Sequence, residues 1–343
     1  MSIQPKCNCP NDPKVSIIGT TTWGTTLGII LARKGIQVSI LCRTDQEAQE
    51  LSKRREHSRF LPGVTIPDSI CFSHDPDFIK DYSNLVILAV PSDRFRNNVQ
   101  RIKSSLATGS LILSVTKGLE LPDGKRMSQI LHEELPIEFH PGICSLSGPN
   151  LAKEIVNNKP ASTVVAGLNE RNTTSIQNIL ISPTFRVYTS TDLVGLELCG
   201  TLKNILAIGV GISDGLNLGD NGKSTLITRG LSEICRLGVA AGAEATTFYG
   251  LAGLGDIIAT CSSPFSRNRY VGEQLAQGHS LPDIQASMQN VAEGVNTTRA
   301  ALDMARPLGV EMPITQAIYN VLFEQLSPID AISELMSRPV RSE

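Results

Sequence analysis

The sequence predicts an α/β protein in two parts, a parallel-sheet domain followed by an almost wholly helical one. Three observations carry this. From Lys14 the chain reads strand, glycine turn, helix, strand. Short apolar runs then recur between helical stretches, the pattern of buried parallel strands joined by crossovers. After about Thr191 the β-rich runs stop and long helical stretches take over. A length of 343 residues suits two domains better than one.

Residues 1–13 are polar and broken by Pro5, Pro10 and Pro13, so they are expected to be a tail without a fold of its own. Val15–Ile18 is a short apolar strand ending at Gly19. Thr25–Lys34 reads as a helix that Gly35 stops, and Ile36–Leu41 as a second strand. Leu85–Val90, Leu111–Val115, Ile143–Leu146 and Thr163–Val165 give further strands, and Phe185–Tyr188 a last, shorter one. Leu193–Ile212, Thr225–Ala241 and Thr297–Arg306 read as helices, the last stopped by Pro307. The expected limits are therefore a tail at 1–13, a sheet domain at 14–190 and a helical domain at 191–343.

Composition excludes several classes of function. A formal net charge of -2 gives no basis for binding a polyanion, and 4% aromatics leaves little for base stacking, so no nucleic-acid partner is expected. A hydrophobic fraction of 41% and a charged fraction of 19% suit a globular protein with real cores. No stretch of about 18 uncharged apolar residues occurs, so no membrane span is expected. The N-terminus lacks the apolar core of a signal peptide. The cysteines Cys42, Cys71, Cys144, Cys199, Cys235 and Cys261 sit singly, mostly in apolar segments, as buried thiols do. Cys7 and Cys9 are too close for a Cys-x-x-Cys redox motif, and no pair has zinc-site spacing. A reducing cytoplasm fits this usage, and no metal is expected.

Gly19-Thr20-Thr21-Thr22-Trp23-Gly24 joins the first strand to the first helix, where a Rossmann fold places its phosphate-binding turn. Gly19 makes the tight turn and Gly24 allows close packing of helix on strand. The helix N-terminus offers free N–H groups to a pyrophosphate. The middle glycine of the G-x-G-x-x-G pattern is replaced by Thr21, whose bulk, and a positive φ, are expected to be costly. An ordinary strand-to-helix turn would carry the same two glycines. Past the second strand stands Arg43, where an NAD-selective site usually has an acidic residue. Arg43 suits a 2′-phosphate and so favours NADPH or dual use; a solvated surface arginine is the plainer alternative.

Lys203 lies in a long apolar helical stretch, with Gly200, Cys199, Leu206 and Ala207 three and four positions away. Those neighbours put it on an inward face. Burial disfavours the ammonium and moves the pKa down from its usual value of about 10.4, towards what a general acid and base needs. Lys117 follows a strand, Ser114-Val115-Thr116, beyond the carboxyl end where open α/β folds bind ligands. Ser266-Arg267-Asn268-Arg269 after Gly253-Leu254-Gly255-Asp256 suits a phosphate, since the guanidinium fork gives paired contacts; an exposed polar loop reads the same way.

Together these segments resemble the bacterial NAD(P)-dependent glycerol-3-phosphate dehydrogenase family from about Lys14 to about Ile332. The motifs are Ser147-Gly148-Pro149-Asn150-Leu151-Ala152-Lys153-Glu154, Gly200-Thr201-Leu202-Lys203-Asn204-Ile205-Leu206-Ala207-Ile208-Gly209, Thr228-Arg229-Gly230-Leu231, Gly250–Asp256, Ser266–Arg269 and Val291-Ala292-Glu293-Gly294. The resemblance implies a Rossmann-like domain, a helical domain and a cleft between them. It implies reversible reduction of dihydroxyacetone phosphate to sn-glycerol 3-phosphate with NADP or NAD, feeding phospholipid synthesis, with Lys203 as the catalytic proton donor and acceptor. It matches Lys117, Gly148, Asn150, Lys203, Asp256, Ser266, Arg267 and Asn268 to substrate positions. It matches Thr22, Trp23, Arg43, Lys117, Ala152, Arg267, Val291 and Glu293 to cofactor positions, beside Gly19 and Gly24 of the turn. The chain departs from the family pattern at Thr21 and Thr22, at Asn150 (threonine is frequent) and at Gly222-Lys223 (Ala-Arg is common).

The implied partner is a small phosphorylated substrate, and a homodimer is admitted. Two rivals share the architecture: another β-hydroxyacid-type dehydrogenase, and a non-enzymatic dinucleotide-binding regulator. Lys117, Lys203, Asp256 and Arg267 together speak against the second.

Overall fold

A computed structural model describes residues 13–81, 84–288 and 292–339. An eight-stranded sheet is built from β1 (Lys14–Ile18), β2 (Gln37–Leu41), β3 (Ile70–Ser73), β4 (Leu85–Leu88), β5 (Leu111–Ser114), β6 (Ile143–Ser147), β7 (Ala161–Gly167) and β8 (Phe185–Ser190). Their order across the sheet is β8-β7-β6-β5-β4-β1-β2-β3. β3 through β6 run parallel with β1 and β2, as expected. β7 does not: it pairs antiparallel with β6, and β8 follows it in parallel, so this edge pair runs opposite to the other six strands. The sheet is thus mostly parallel, with one reversed edge pair. An apolar run shows that a strand is buried, not which way it points.

The sheet is covered on both faces. α1 (Thr22–Arg33), α2 (Asp45–Arg54), α5 (Ala152–Val156) and α6 (Glu170–Leu180) pack on one side, with Leu27, Leu31, Leu51, Ile155 and Ile176 in a common core. α3 (Phe95–Ile102) and α4 (Met127–Glu134) cover the other, where Phe95, Val99, Ile130 and Leu131 meet Ile18, Val86 and Leu88. Alternate residues of one strand serve the two cores: Leu85 and Ile87 face the first, Val86 and Leu88 the second. β3 and two short hairpins, at 56–65 and 119–126, add to the strands expected from the sequence.

From Leu193 on, every described element is a helix: α7 (Leu193–Gly215), α8 (Gly219–Ala240), α9 (Ala245–Tyr249), α10 (Asp256–Ser262), α11 (Arg267–Ala276), α12 (Leu281–Ser287), α13 (Glu293–Ala305), α14 (Pro313–Phe323) and α15 (Pro328–Met336), with a π-helical turn at Leu251–Gly255. α7 is the axis of this part. It is the one described helix long and apolar enough to cross a membrane, yet 94% of its apolar window is buried in protein. α11 crosses it backbone to backbone, and a Cβ on Gly272 would fall 2.0 Å from the Ile208 carbonyl oxygen. α7 is also fastened to the sheet domain. Its buried Glu197 accepts from the Ser128 N–H at 2.8 Å and from Arg126 Nη1 at 2.7 Å, both in or beside α4. α8 and α13 begin six and four residues earlier than expected, because glycines near both starts read as loop.

Candidate active site

The turn after β1 has the shape a dinucleotide needs. Gly19 takes φ +103° against the Ala89 carbonyl, and a Cβ on Gly24 would fall 2.6 Å from the Gly19 carbonyl oxygen. Thr21 sits at φ −60°, ψ 163°, in extended backbone. Its hydroxyl accepts from the Gly24 N–H at 3.1 Å and donates to the Ala89 carbonyl at 2.8 Å. The expected strain is therefore corrected: Thr21 is the N-cap of α1, a place where threonine is favoured. It also starts α1 at Thr22 rather than Thr25. The N–H groups of Thr22 and Trp23 lie ahead of the first intrahelical bond, which Thr25 donates to Thr21. Trp23 packs edge-on against Phe185, and its indole Nε1–H is buried with no partner. Arg43 stands exposed past β2. Free helix N–H groups, an orphaned indole donor and a close-packed glycine together fit a pyrophosphate and its nucleosides.

Beyond the carboxyl end of β5 a cluster of buried and half-buried charges gathers on Asp256. Lys117, just past β5, donates from Nζ to Asp256 Oδ2 at 2.5 Å and to the Gly148 carbonyl at 3.0 Å. Lys203, on α7, is 5% exposed. Its Nζ donates to Thr260 Oγ1 at 2.6 Å and Asn204 Oδ1 at 3.2 Å, and lies 3.4 Å from Asp256 Oδ1. Thr260 in turn donates to Asp256 Oδ1 at 3.2 Å. Asp256 thus faces both lysines at once. Burial pushes the Lys203 amine below the ordinary lysine range, and Asp256 partly opposes that. α7 can come this close to the sheet because residue 200 is glycine: a Cβ there would fall 2.4 Å from Ser147 Oγ and 3.6 Å from Lys117 Cγ.

The remaining predicted residues lie at or near the starts of α5, α11 and α13. Ser266 caps α11, accepting from the Arg269 N–H, and places the exposed Arg267 on the first turn. Asn268 is buried and accepts from the Gly294 N–H at 3.0 Å, which brings α13 against α11. Glu293 opens α13 near Gly118; burial pushes its carboxyl up, and Arg267 pulls it back. Asn150 donates to Thr163 Oγ1 at 3.0 Å and keeps a buried Oδ1 without a partner. Ala152 is the first residue of α5. Val291 lies outside the described residues. The structure joins Lys117, Gly148, Lys203 and Asp256 by direct contact. The Gly19–Gly24 turn, Arg43, Asn150 and Ala152 touch none of the cluster's polar groups among the described contacts.

Thr260 was missed, and its signal was present: Asp256 and Thr260 are four apart, one turn on the same helix face. Glu47 was also missed; its carboxylate accepts from Thr20 of the turn at 2.6 Å. Among the described residues no group of three or more His, Cys, Asp or Glu is gathered as for a metal.

A Rossmann-type sheet with a dinucleotide turn, joined at its strand ends to a helical body that supplies a buried lysine, defines a nicotinamide-dependent dehydrogenase. Two family models cover nearly all of the chain. One is described as NAD-dependent glycerol-3-phosphate dehydrogenase N-terminus, over residues 14–173, the other as the C-terminus of the same, over 192–333. The chain belongs to the NAD-dependent glycerol-3-phosphate dehydrogenase family. It is 49% identical over 331 residues to a glycerol-3-phosphate dehydrogenase [NAD(P)+] of Dehalococcoides mccartyi, covering 96% of this chain and 92% of that one. It is 43% identical over 329 residues to one of Chlorobium limicola, covering 96% and 99%. The crystal structure of glycerol-3-phosphate dehydrogenase from Coxiella burnetii superposes with a TM-score of 0.89 at 34% identity, over 96% of this chain and all of that one. The protein is accordingly an NAD(P)-dependent oxidoreductase acting on a CH–OH group.

Proposed function

We propose that this enzyme reversibly reduces dihydroxyacetone phosphate to sn-glycerol 3-phosphate, with Lys203 as general acid and base. One observation carries the reading: a lysine buried to 5% exposure, its amine 2.6 Å from a threonine hydroxyl and 3.4 Å from a buried carboxylate. When bound, the nicotinamide supplies a hydride to the substrate's C2 or takes one from it. In reduction, the Lys203 ammonium gives a proton to the carbonyl oxygen as its π bond becomes an alkoxide, and the neutral amine then regains a proton from water. Oxidation runs the reverse path, with neutral Lys203 taking the hydroxyl proton. Asp256 and Thr260 hold the amine in place and keep the ammonium form accessible.

Lys117, Gly148, Asn150, Asp256, Ser266, Arg267 and Asn268 line the substrate side in this reading. Arg267 and the α11 N-terminus bind the phosphate, so remote binding energy orients C2. Gly19, Thr22, Trp23, Gly24, Arg43, Lys117, Ala152, Arg267, Val291 and Glu293 hold the cofactor, within a cofactor domain at 14–190 and a substrate domain at 191–343. The setting is the cytoplasm and the product feeds glycerophospholipid synthesis.

The test follows oxidation of NADH and NADPH on adding dihydroxyacetone phosphate, in wild type and in Lys203→Ala. We expect turnover with the phosphorylated ketone, and a loss in the variant of about 10²–10⁴-fold with cofactor binding retained. Turnover of a hydroxy acid in place of glycerol phosphate would hand the site to the rival dehydrogenase class. Wild-type turnover in Lys203→Ala would remove Lys203 from the chemistry.

A further inference from the structure

We propose that Glu47 reads the 2′ position of the cofactor's adenosine ribose and tilts the site towards NADH, against an exposed Arg43 that favours NADPH. The inference rests on the reading above that the Gly19–Gly24 turn holds an adenine dinucleotide. β2 ends without the acidic residue that usually meets the ribose hydroxyls there, and offers Arg43 in its place. The fold supplies a carboxylate at that spot from the next helix. Thr44 caps α2, accepting from the Glu47 N–H at 3.2 Å, and so fixes Glu47 in the first turn. From there the side chain bends back. Oε2 accepts from the Arg43 N–H at 3.0 Å and Oε1 accepts from Thr20 Oγ1 at 2.6 Å.

Glu47 therefore bridges the two places between which the ribose of a dinucleotide lies, the phosphate turn and the carboxyl end of the second strand. Each carboxylate oxygen uses one acceptor site in these bonds and keeps another. The side chain is only partly buried, so that capacity is reachable. A 2′-hydroxyl is a donor and satisfies it. A 2′-phosphate is an anion and is repelled by it, while the Arg43 guanidinium attracts the phosphate. An acidic and a basic side chain joined through the Arg43 N–H give a site that admits both cofactors, with the balance set by Glu47.

The experiment measures dissociation constants for NADH and NADPH by quenching of tryptophan fluorescence, which reports only Trp23, the single tryptophan of the chain. Glu47→Gln keeps the size and removes the charge. We expect it to weaken NADH and strengthen NADPH, moving the ratio of the two constants towards NADPH about tenfold or more. Thr20→Val breaks the link to the turn and leaves the charge, so both constants should change in step. Arg43→Ala, at an exposed position, should weaken NADPH about tenfold and NADH by much less. Three results overturn the proposal: a ratio unmoved by Glu47→Gln, which makes Glu47 a prop for the turn; the same ratio shift from Thr20→Val; or NADPH affinity unmoved by Arg43→Ala. Wild type that binds neither dinucleotide overturns the dehydrogenase reading as well, whereas tight binding of both with no response at Glu47 overturns this inference alone.

Discussion

Two buried charges in the helical half show what burial by itself does not decide. Glu233 on α8 is 2% exposed and Lys203 on α7 is 5% exposed. Burial pushes each towards its neutral form, the carboxyl up and the amine down. Their partners differ in kind. Glu233 accepts from the Ile314 N–H at 2.7 Å, the Thr315 N–H at 3.2 Å and the Thr315 hydroxyl at 3.3 Å. None of these gives up a proton near neutral pH, and the group is locked as a cap on α14. Lys203 faces a carboxylate and a hydroxyl, in a network that reaches a second lysine. The first arrangement ties two elements together, and the second leaves an amine among groups that can suit either of its charge states, as the proposed chemistry needs.

Removing each group should separate the two most sharply. Glu233→Ala leaves three buried donors unmet, and we expect a loss of about 3 kcal/mol in unfolding free energy, with kcat per folded molecule unchanged. Lys203→Met keeps the bulk and leaves Asp256 paired with Lys117, so its loss of unfolding free energy should be smaller than that of Glu233→Ala while turnover collapses. Chemical denaturation and a turnover assay on both variants check this. Equal destabilisation by the two changes would break the comparison, since Lys203 would then be as structural as Glu233.

A finer test uses pH. In the proposed chemistry oxidation needs neutral Lys203 and reduction needs its ammonium. The rate of glycerol phosphate oxidation should therefore rise with pH through the lowered Lys203 value, and that of ketone reduction should fall through it. Asp256 favours the ammonium. Asp256→Asn should thus move the oxidation limb to lower pH, beyond any loss of rate. A limb that stays or moves up would mean that Asp256 does not tune this amine. The measurement is kcat/KM for oxidation against pH in the two proteins.

The same contrast explains what the sequence made legible. Lys203 stood out because helical periodicity alone surrounds it with small and apolar residues, and Lys117 because it follows an apolar strand. The strands β4 and β6 were legible because they are buried along their whole length. β3 was not, since only Ile70 of its four residues is fully buried. The reversal of β7 was hidden because a buried strand carries no mark of direction. The meeting of Lys117 and Lys203 on one carboxylate was hidden too. Asp256 is 139 residues from the first lysine and 53 from the second, so only the folded chain brings them together. Glu47 was hidden because nothing in the sequence shows that the first turn of α2 folds back onto Thr20 of the glycine turn.

Thr21 is the instructive error, and it carries the smallest expected effect. Read as a faulty glycine, it invites Thr21→Gly as a repair that tightens cofactor binding. Its φ of −60° removes that reasoning, because no left-handed backbone is being forced. Its hydroxyl meanwhile caps α1 and holds the Ala89 carbonyl. Glycine would give up both bonds and add backbone freedom to the unfolded chain, a loss of about 1 kcal/mol of stability. It would leave the N–H groups of Thr22 and Trp23 where they are. We therefore expect the dissociation constants of both dinucleotides to stay within about threefold of wild type, with a slightly lower Tm. A tenfold gain in affinity would mean that the threonine side chain does obstruct the pyrophosphate, and that the turn trades cofactor affinity for its cap.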